Sequence, residues 1–290
     1  MLKILKFLYL IINVVIIIGL LTIHFIIKDR NFESSIFFYA LPLPVIIVII
    51  LGLSIFLENN KKYNFFLAFL LLMIWLSRSF KINFADTIKA KDVEIVFWNA
   101  SHDRNFEDVF VKDESIPDVV VLVEHGIYDV NKIKLKYPEY YFYKSIRGIS
   151  VFSKSELKIL NETTSKFKTN SLKFKTKNII FFAIDVSASI DVPRNWELSY
   201  VDEIINENKN TIVLGDFNVP YESLLLKKTK SNFNHAFTEK GNGFRETWFW
   251  NIPLLSLDHI WVSKDLKILK TEKMGTFKSD HVMIKTVIRK

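Results

Sequence analysis

Apolar residues form long uninterrupted runs in the first 80 positions of the chain and short, strand-length runs from residue 92 onward. The long runs cover residues 4–27, 36–57 and 65–76, and the helices predicted from them cover about 4–27, 36–57 and 63–79. A helix needs about 20 apolar residues to cross a bilayer core, which the first two runs supply and the third, with about 15, approaches. No small-residue cleavage site of a signal peptide follows the first run. We therefore predict three transmembrane helices, the second kinked at Pro42 and Pro44.

The rest of the chain has the pattern of a folded domain of strands and helices. Residues 81–91 mix polar, charged and small side chains, which predicts a short linker. Beyond it, runs rich in Val, Ile and Phe predict strands. The predicted strands are 93–98, 118–123, 140–144, 148–153, 157–160, 171–175, 178–186, 211–215, 259–263, 266–269 and 282–288, and the predicted helices are 104–112, 127–136, 194–207 and 220–226. This alternation indicates an α/β sandwich of two packed sheets with helices outside, over residues 92–290.

Charge and cysteine content restrict the function. The net charge is +8, but residues 91–290 carry 30 basic and 27 acidic side chains, so their excess is only +3. A dedicated nucleic-acid binder usually shows a stronger basic surface, which counts against a nuclease. There is no cysteine, and no cluster of His and Cys at zinc spacing, so a zinc site of that kind is excluded.

Polar and acidic side chains stand at the ends of five apolar runs. Asn99 follows 93–98, Glu124 follows 118–123, Asp216 and Asn218 follow 211–214, Asp258 precedes 260–262, and Asp280 with His281 precedes 282–284. Because strands normally place carboxylates on solvent faces or in turns, this recurrence predicts one shared active-site edge. Carboxylates and amides suit a hard divalent cation, and a histidine can serve acid/base chemistry beside it.

These strings, in this order, resemble the endonuclease/exonuclease/phosphatase superfamily, the fold of pancreatic deoxyribonuclease, abasic-site endonucleases and neutral sphingomyelinases. The matching strings are Phe97-Trp98-Asn99, Val121-Leu122-Val123-Glu124, Gly148 to Ser153, Leu214-Gly215-Asp216-Phe217-Asn218, Thr247-Trp248, Leu257-Asp258-His259-Ile260 and Ser279-Asp280-His281. The resemblance implies a four-layer sandwich of two sheets flanked by helices, and a metal-dependent phosphoesterase.

The resemblance also implies roles for individual residues. Asp216 would orient the attacking water, and Asn218 would hold the phosphate or that aspartate. His281 would bind the scissile phosphate, with Asp258 orienting its ring. The metal-binding residues would be Glu124, Asn99 and Asp280. With oxygen donors and no thiolates, magnesium or manganese is the expected ion.

One position departs from the family pattern. Where many relatives carry a histidine after the strand at 178–184, this chain has Asp185. Three interpretations stay open: a proton acceptor, a ligand of a second cation, or a sign of reduced activity. Arg194 resembles an arginine that often begins the following helix, and either a phosphate contact or a salt bridge would explain it.

Three spans ahead of such a domain resemble the teicoplanin-resistance-type membrane enzymes. We therefore predict a multi-pass enzyme of the cell membrane that hydrolyses a phosphoester or pyrophosphate, of a membrane lipid or lipid-linked phosphate. The positive charges beside the spans lean slightly toward export of the catalytic domain. The alternatives are a membrane-tethered endonuclease, with nucleic acid as a less favoured partner, and a catalytically impaired scaffold of the same fold.

Overall fold

The computed structural model describes residues 2–101, 106–111, 117–126 and 129–290. It divides into two compact units, of which the first ends at Phe80 and the second begins at Lys81.

The first unit is helical. Its elements are α1 (Leu2–Leu21) with a π-helical continuation (Thr22–Ile27), α2 (Phe32–Ala40), α3 (Leu43–Leu53), the 3₁₀ turns Ser54–Phe56 and Glu58–Asn60, and α4 (Lys61–Ser79). The side chain of Asn31 caps α2 by accepting a hydrogen bond from the backbone N–H of Ser34 at 2.8 Å. A small apolar core joins these helices through Ile46 and Ile50 of α3 and Ala68 and Leu71 of α4.

The prediction of three transmembrane helices, and with it a multi-pass location, is wrong. In the part of the chain that the structure describes, one helix, Lys3–Ile27, is long and apolar enough to cross a membrane. One kinked helix was predicted at 36–57, but the structure has two helices there, Phe32–Ala40 and Leu43–Phe56, bent by 72° to each other. This pair adds a second candidate span only if it is counted as one. The region 63–79 is not apolar enough over its full length to cross a membrane, because lysines, Asn64 and Arg78 flank its short apolar stretch. An N-terminal helix of this kind serves as a single-pass anchor or a signal sequence.

The second unit contains the remaining elements, apart from Phe80 of β1, which is the last residue of the first unit. The strands are β1 (Phe80–Lys81), β2 (Val93–Asn99), β3 (Val119–Val123), β4 (Tyr141–Lys144), β5 (Ser150–Ser153), β6 (Lys158–Thr164), β7 (Asn170–Thr176), β8 (Ile179–Asp185), β9 (Thr211–Asp216), β10 (Phe233–His235), β11 (Gly243–Phe244), β12 (Asp258–Ser263), β13 (Lys267–Met274) and β14 (Met283–Arg289). The helices are α5 (Asp108–Val111), α6 (Val130–Lys136), α7 (Arg194–Ile204), the 3₁₀ turn Leu224–Leu226, α8 (Lys227–Asn232) and α9 (Ala236–Lys240).

Two six-stranded mixed sheets form the body of this unit, with strand orders β13-β14-β2-β3-β5-β4 and β10-β12-β9-β8-β7-β6. Each sheet has one parallel pair, β2 with β3 and β8 with β9, and its other neighbours are antiparallel. The main core draws alternate residues from both sheets, among them Phe97, Val121, Phe181 and Leu214. The predicted α/β sandwich of two packed sheets with helices is confirmed.

Local predictions differ from the structure mainly between residues 220 and 240. The predicted helix 220–226 is only a 3₁₀ turn at Leu224–Leu226, where the Ser223 hydroxyl accepts from the Leu225 N–H at 3.1 Å. The elements α8, β10 and α9 were not predicted, because this lysine- and asparagine-rich stretch lacks apolar periodicity. The predicted strand 157–160 continues to Thr164. The predicted helix 104–112 lies partly outside the described residues.

The segment 81–91, predicted as a linker, is hydrogen-bonded along the second unit. Asn83 Nδ2 donates to the Gly241 carbonyl at 2.9 Å, and the Asp86 N–H donates to the Leu269 carbonyl at 2.9 Å. The Asp86 carboxylate also lies 3.0 Å from Lys267 Nζ. The segment is therefore part of the fold of this unit.

Candidate active site

The polar strand ends meet at one edge of the sandwich. Asn99 ends β2 and is the register partner of Val123, the last residue of the parallel strand β3, so Glu124 follows on the same side. In the other sheet, Asp216 pairs with Asp185 of β8 and with Asp258 of β12. Since Asn99 Nδ2 donates to Asp216 Oδ2 at 2.9 Å, the two sheets are joined at this edge.

A buried histidine lies between two carboxylates at the centre of the site. His281 Nδ1 donates to Asp258 Oδ2 at 2.8 Å, and Nε2 lies 4.0 Å from Asp216 Oδ2. Burial by itself would lower the pKa of His281, but the charge and hydrogen bond of Asp258, with Asp216 and Asp280, raise it to about 10. Without a metal ion beside it, these carboxylates favour the protonated ring, whose Nε2 faces Asp216.

The loop that carries His281 is fixed by the end of β2. Ser279 Oγ donates to the Asn99 carbonyl at 2.8 Å and accepts from the His281 N–H at 3.0 Å. The indole of Trp98 donates to the His281 carbonyl at 3.1 Å. The histidine is therefore positioned through its backbone as well as its ring.

Asp216 is almost completely buried and holds the turn that follows it. Its Oδ1 accepts from the Asn218 N–H at 2.8 Å, while Asn218 Nδ2 donates to the Val186 carbonyl at 2.7 Å. Burial and the neighbouring charge of Asp258 raise the pKa of Asp216. Gly215 is required here, because a Cβ would lie 2.0 Å from the Ile184 carbonyl oxygen of β8. A close approach of β8 and β9 thus presents Asp216.

The three predicted metal-binding residues line this edge in different ways. Asn99 uses both side-chain atoms within the protein: Nδ2 donates to Asp216 Oδ2, and Oδ1 accepts from the Ser101 N–H at 2.9 Å. Glu124 is half-buried with a φ of 48°, a conformation that non-glycine residues adopt mainly at constrained or functional positions. Asp280 Oδ2 accepts from Trp248 Nε1 at 2.8 Å. Their role as ligands stays a prediction.

The donor set fits a hard divalent cation. Potential ligand atoms of Asp216, Asp258 and His281 lie within 4.8 Å of one another, and His281 offers its own only when the ring is neutral. One oxygen of Asp258 and one of Asp280 are buried without a hydrogen-bond partner among the described residues. Buried carboxylate oxygens normally have a partner, so a cation or a metal-bound water would complete them.

The two predicted substrate-binding residues lie on the β8 side. Asp185 Oδ2 accepts from Asn170 Nδ2 at 3.4 Å, and burial, with the charges of Asp216 and Glu124, raises the Asp185 pKa to about 7. Arg194, at the start of α7, donates to the Ser187 carbonyl, so it holds the β8–α7 loop. A phosphate contact of Arg194 stays a prediction.

Sequence reasoning missed three supporting residues. Asn170 reaches Asp185 through the register of the β7–β8 hairpin, for which the sequence offers no signal. Trp248 holds Asp280, and the Thr247 hydroxyl accepts from the Asp258 N–H at 3.1 Å. Thr247 and Trp248 were noted as a matching string, which was the available signal.

A neutral histidine pair lies behind the site. His259 Nε2 donates to the Val219 carbonyl at 3.1 Å, so its Nδ1 accepts from His235 Nε2 at 3.2 Å, and His235 Nδ1 accepts from the Thr238 N–H at 3.3 Å. Burial lowers the pKa of both rings, that of His259 to about 4. Each ring has its proton on Nε2, an arrangement that a further proton would break.

We expect the contribution of this pair to folding stability to fall between pH 6.5 and 5. The unfolded histidines bind protons below about pH 6.5, while the folded pair stays neutral. Each histidine therefore lowers the free energy of unfolding by up to about 1.4 kcal/mol per pH unit. His281 has a raised pKa and loses stabilisation only above that range. Asp185 and Asp216 have raised pKa values and gain stabilisation as the pH falls through the same range, so the effect of the pair is measured against a variant that lacks it. In urea unfolding at pH 6.5 and 5.0, the wild type should lose stability relative to the His235→Gln variant as the pH falls. An equal pH dependence in both proteins would contradict the assignment.

The comparisons with known proteins agree with this geometry. Residues 81–281 match the profile of the Endonuclease/Exonuclease/phosphatase family, and no curated protein matches the chain. A family protein from Bacteroides thetaiotaomicron is 15% identical, with a TM-score of 0.55, and the match covers 69% of this chain and 98% of that one. One from Bacteroides vulgatus is 18% identical, with a TM-score of 0.53 and coverage of 69% and 99%.

A mannosyl-6-phosphatase from Bacteroides thetaiotaomicron is 15% identical, with a TM-score of 0.53 and coverage of 68% and 100%. At these identities the solved structures show a shared fold, which here is that of deoxyribonuclease I. The family profile matches more than half of the chain, and the carboxylate–histidine cluster lies within the matched residues. The chain therefore belongs to the endonuclease/exonuclease/phosphatase family and is a metal-dependent phosphoesterase.

Proposed function

We propose that this enzyme hydrolyses a phosphoester or pyrophosphate bond of a membrane lipid, with Mg²⁺ or Mn²⁺ as its cation. The observation that carries the chemistry is the placement of His281 between Asp258 and Asp216. The lipid part is supported by the apolar helix Lys3–Ile27 in the same chain and by the small charge excess of the catalytic unit. The loss of the three-span prediction removes the architectural basis for a teicoplanin-resistance-type enzyme, so a lipid pyrophosphate is one candidate among lipids.

In this proposal, different residues hold the cation, accept the proton of water and bind the phosphoryl group. Glu124 and Asp280, with Asn99 nearby, would hold the cation, which when bound polarises a phosphoryl oxygen and offsets its charge. Asp216 lies where it can accept the proton of an attacking water. The cationic His281, fixed by Asp258, would bind another phosphoryl oxygen and stabilise charge that develops in the transition state.

Asn218 and Arg194 shape the site without touching the reacting atoms in this proposal. The N–H of Asn218 fixes Asp216, its side chain holds Val186, and Arg194 holds Ser187. Asp185 would lie beside the bound phosphate. Because Asp185 replaces the histidine of the family pattern, it is the residue to substitute in a study of leaving-group preference.

A substrate panel tests the proposal. The full chain in mixed detergent–lipid micelles would receive a polyprenyl pyrophosphate, sphingomyelin, a phosphatidylinositol phosphate, a sugar 6-phosphate or duplex DNA, and release of the phosphate-containing product would be measured. We expect at least one lipid to be cleaved faster than DNA, because a site held at a lipid surface meets headgroups at high effective concentration. The variant Asp216→Asn controls for contaminating activity. Faster cleavage of DNA than of every lipid would reject the lipid proposal in favour of the endonuclease.

A further inference from the structure

Large apolar side chains protrude from the loops around the active site. Three are almost fully exposed, Ile146 at 91%, Phe277 at 85% and Ile190 at 75%. The complete set comprises Ile146 in the β4–β5 turn, Ile190 in the β8–α7 loop, Trp196 in the first turn of α7, Phe249, Trp250 and Ile252 ahead of β12, and Phe277 in the β13–β14 loop. All of these loops leave strands at the edge that carries Asp216 and His281. We call this set the apolar rim.

Four turns at the opposite ends of the strands lack this feature, although Ile88 before β2 and Tyr141 at the start of β4 are exposed at that end, at 48% and 53%. The turns 154–157, 177–178, 205–210 and 264–266 contribute none of the exposed large apolar side chains among the described residues. Their residues are mostly Lys, Asn, Asp and Glu. Scattered exposed apolar side chains are ordinary, but a concentration of them around one functional edge marks an interaction surface.

The rim loops are held in place by the site itself. The Trp250 N–H donates to the Asp280 carbonyl at 2.9 Å, and Asn251 Nδ2 donates to the Thr276 carbonyl at 3.1 Å. Thr276 in turn donates to Asp108 Oδ2 at 3.1 Å. Phe277 therefore points to solvent from a loop that is fixed at both sides.

Exposed basic side chains accompany the apolar rim. Arg147 stands beside Ile146, and Lys166 and Lys168 stand in the β6–β7 turn at the same edge. In that turn Phe167 stacks on Trp196 with ring centroids 5.3 Å apart. Tryptophan, phenylalanine and isoleucine interspersed with Lys and Arg are the composition of surfaces that bind at a bilayer interface with anionic headgroups.

We propose that the active-site edge of the catalytic unit docks on a lipid bilayer, with the tips of the apolar rim inserted at the level of the headgroups. A protein partner would require a continuous apolar core in its interface. Here the apolar tips stand on separate loops around a polar site, and a fluid interface can receive each of them. The placement would bring lipid phosphates to Asp216 and His281. The proposal deepens the proposed lipid function, but docking can be measured without turnover.

A second exposed apolar surface could dock on the bilayer in place of the apolar rim. Ile82 and Phe84 are exposed at 75% and 86% on the segment that runs along the second unit beside Gly241 and Leu269. Docking through this segment would present a different side of the catalytic unit to the lipid. The two surfaces can be separated by site-specific probes.

The chain contains no cysteine, so single-cysteine variants of the full chain give unambiguous labels. Phe277→Cys and Ile190→Cys report on the rim, Phe84→Cys on the competing segment, and Asn208→Cys on the opposite end. Each would carry an environment-sensitive fluorophore in vesicles of phosphatidylcholine and phosphatidylglycerol that contain a spin-labelled lipid quencher. We expect quenching at positions 277 and 190 to be at least about twice that at 208, as burial at the interface requires. Equal quenching at 277, 190 and 208, or quenching confined to position 84, would overturn the proposal.

A second variant measures the consequence for turnover. The triple variant Ile146→Ser, Ile190→Ser and Phe277→Ser changes only exposed side chains, and Leu135→Ser, 83% exposed on α6, is the matched control. The triple variant should lose about tenfold or more in the cleavage of vesicle-borne lipid, because apolar area no longer enters the interface, while cleavage of a soluble aryl phosphoester stays unchanged. Quenching without lipid cleavage would refute the lipid function and leave docking standing. Lipid cleavage without quenching at the rim would refute docking alone.

Discussion

Asp216→Asn should lower turnover by at least about 100-fold, equivalent to about 2.7 kcal/mol of transition-state stabilisation. The substitution keeps the shape of the side chain but removes the charge that would accept a proton from water. His281→Ala should have an effect of similar size, because it removes the cation held between Asp258 and Asp216. Steady-state rates on the best substrate of the lipid panel provide the measurement.

Stability measurements separate this prediction from a folding defect. Burial and Asp258 disfavour the charged form of Asp216, so Asp216→Asn should unfold at the same temperature as the wild type or at a higher one. Glu239→Gln, which removes an exposed carboxylate on α9, is the matched control and should leave the rate unchanged. Near-normal rates in both Asp216→Asn and His281→Ala would favour the catalytically impaired scaffold. Asp258→Ala should be milder, since His281 would remain but be poorly oriented.

Removal of divalent cations should abolish activity, and Mg²⁺ or Mn²⁺ should restore it. The site offers carboxylate oxygens and no thiolate, which is the donor chemistry of hard cations. Loss on chelation should exceed about 100-fold, the scale on which a charge-stabilising group contributes. Full activity in excess chelator would refute metal-assisted hydrolysis.

A binding measurement tests the ligands independently of turnover. A cation that binds only the folded protein raises its unfolding temperature as its concentration increases. This rise should be present in the wild type and reduced in Glu124→Gln and Asp280→Asn, if these two residues hold the ion. A full rise in both variants, together with its loss in Asp258→Asn, would instead assign the ion to the cluster of Asp216, Asp258 and His281.

Much of the catalytic unit could be predicted because its strands are short, apolar and bounded by polar turns. The parallel pairing of β2 with β3 and of β8 with β9 brings Asn99, Glu124, Asp185 and Asp216 to one edge. Polar side chains at strand ends therefore predicted a shared edge, and the structure brings these four side chains together there. The roles of the individual residues depend on atoms a few ångströms apart, which a sequence does not specify.

The failures have physical causes too. Apolar content alone could not distinguish a membrane span from the interrupted helices of the first unit, where the helices α2 and α3 meet at a 72° bend. Contacts across a hairpin, such as Asn170 with Asp185, depend on register. Composition predicted a linker at 81–91 because it has no periodic pattern, although its backbone finds partners in the sheet and its loops.

That hydrogen-bonded segment changes where the catalytic unit begins. β13 is the outer strand of its sheet, and the Asp86 N–H and the Gly241–Thr271 bridge occupy part of its free side. An uncovered outer strand is a template on which further chains can add as new strands, and covering it prevents aggregation. The segment 81–91 thus covers part of the free side of β13. A fragment that begins at residue 92 would keep every catalytic side chain but would expose this part of β13 and be prone to self-association.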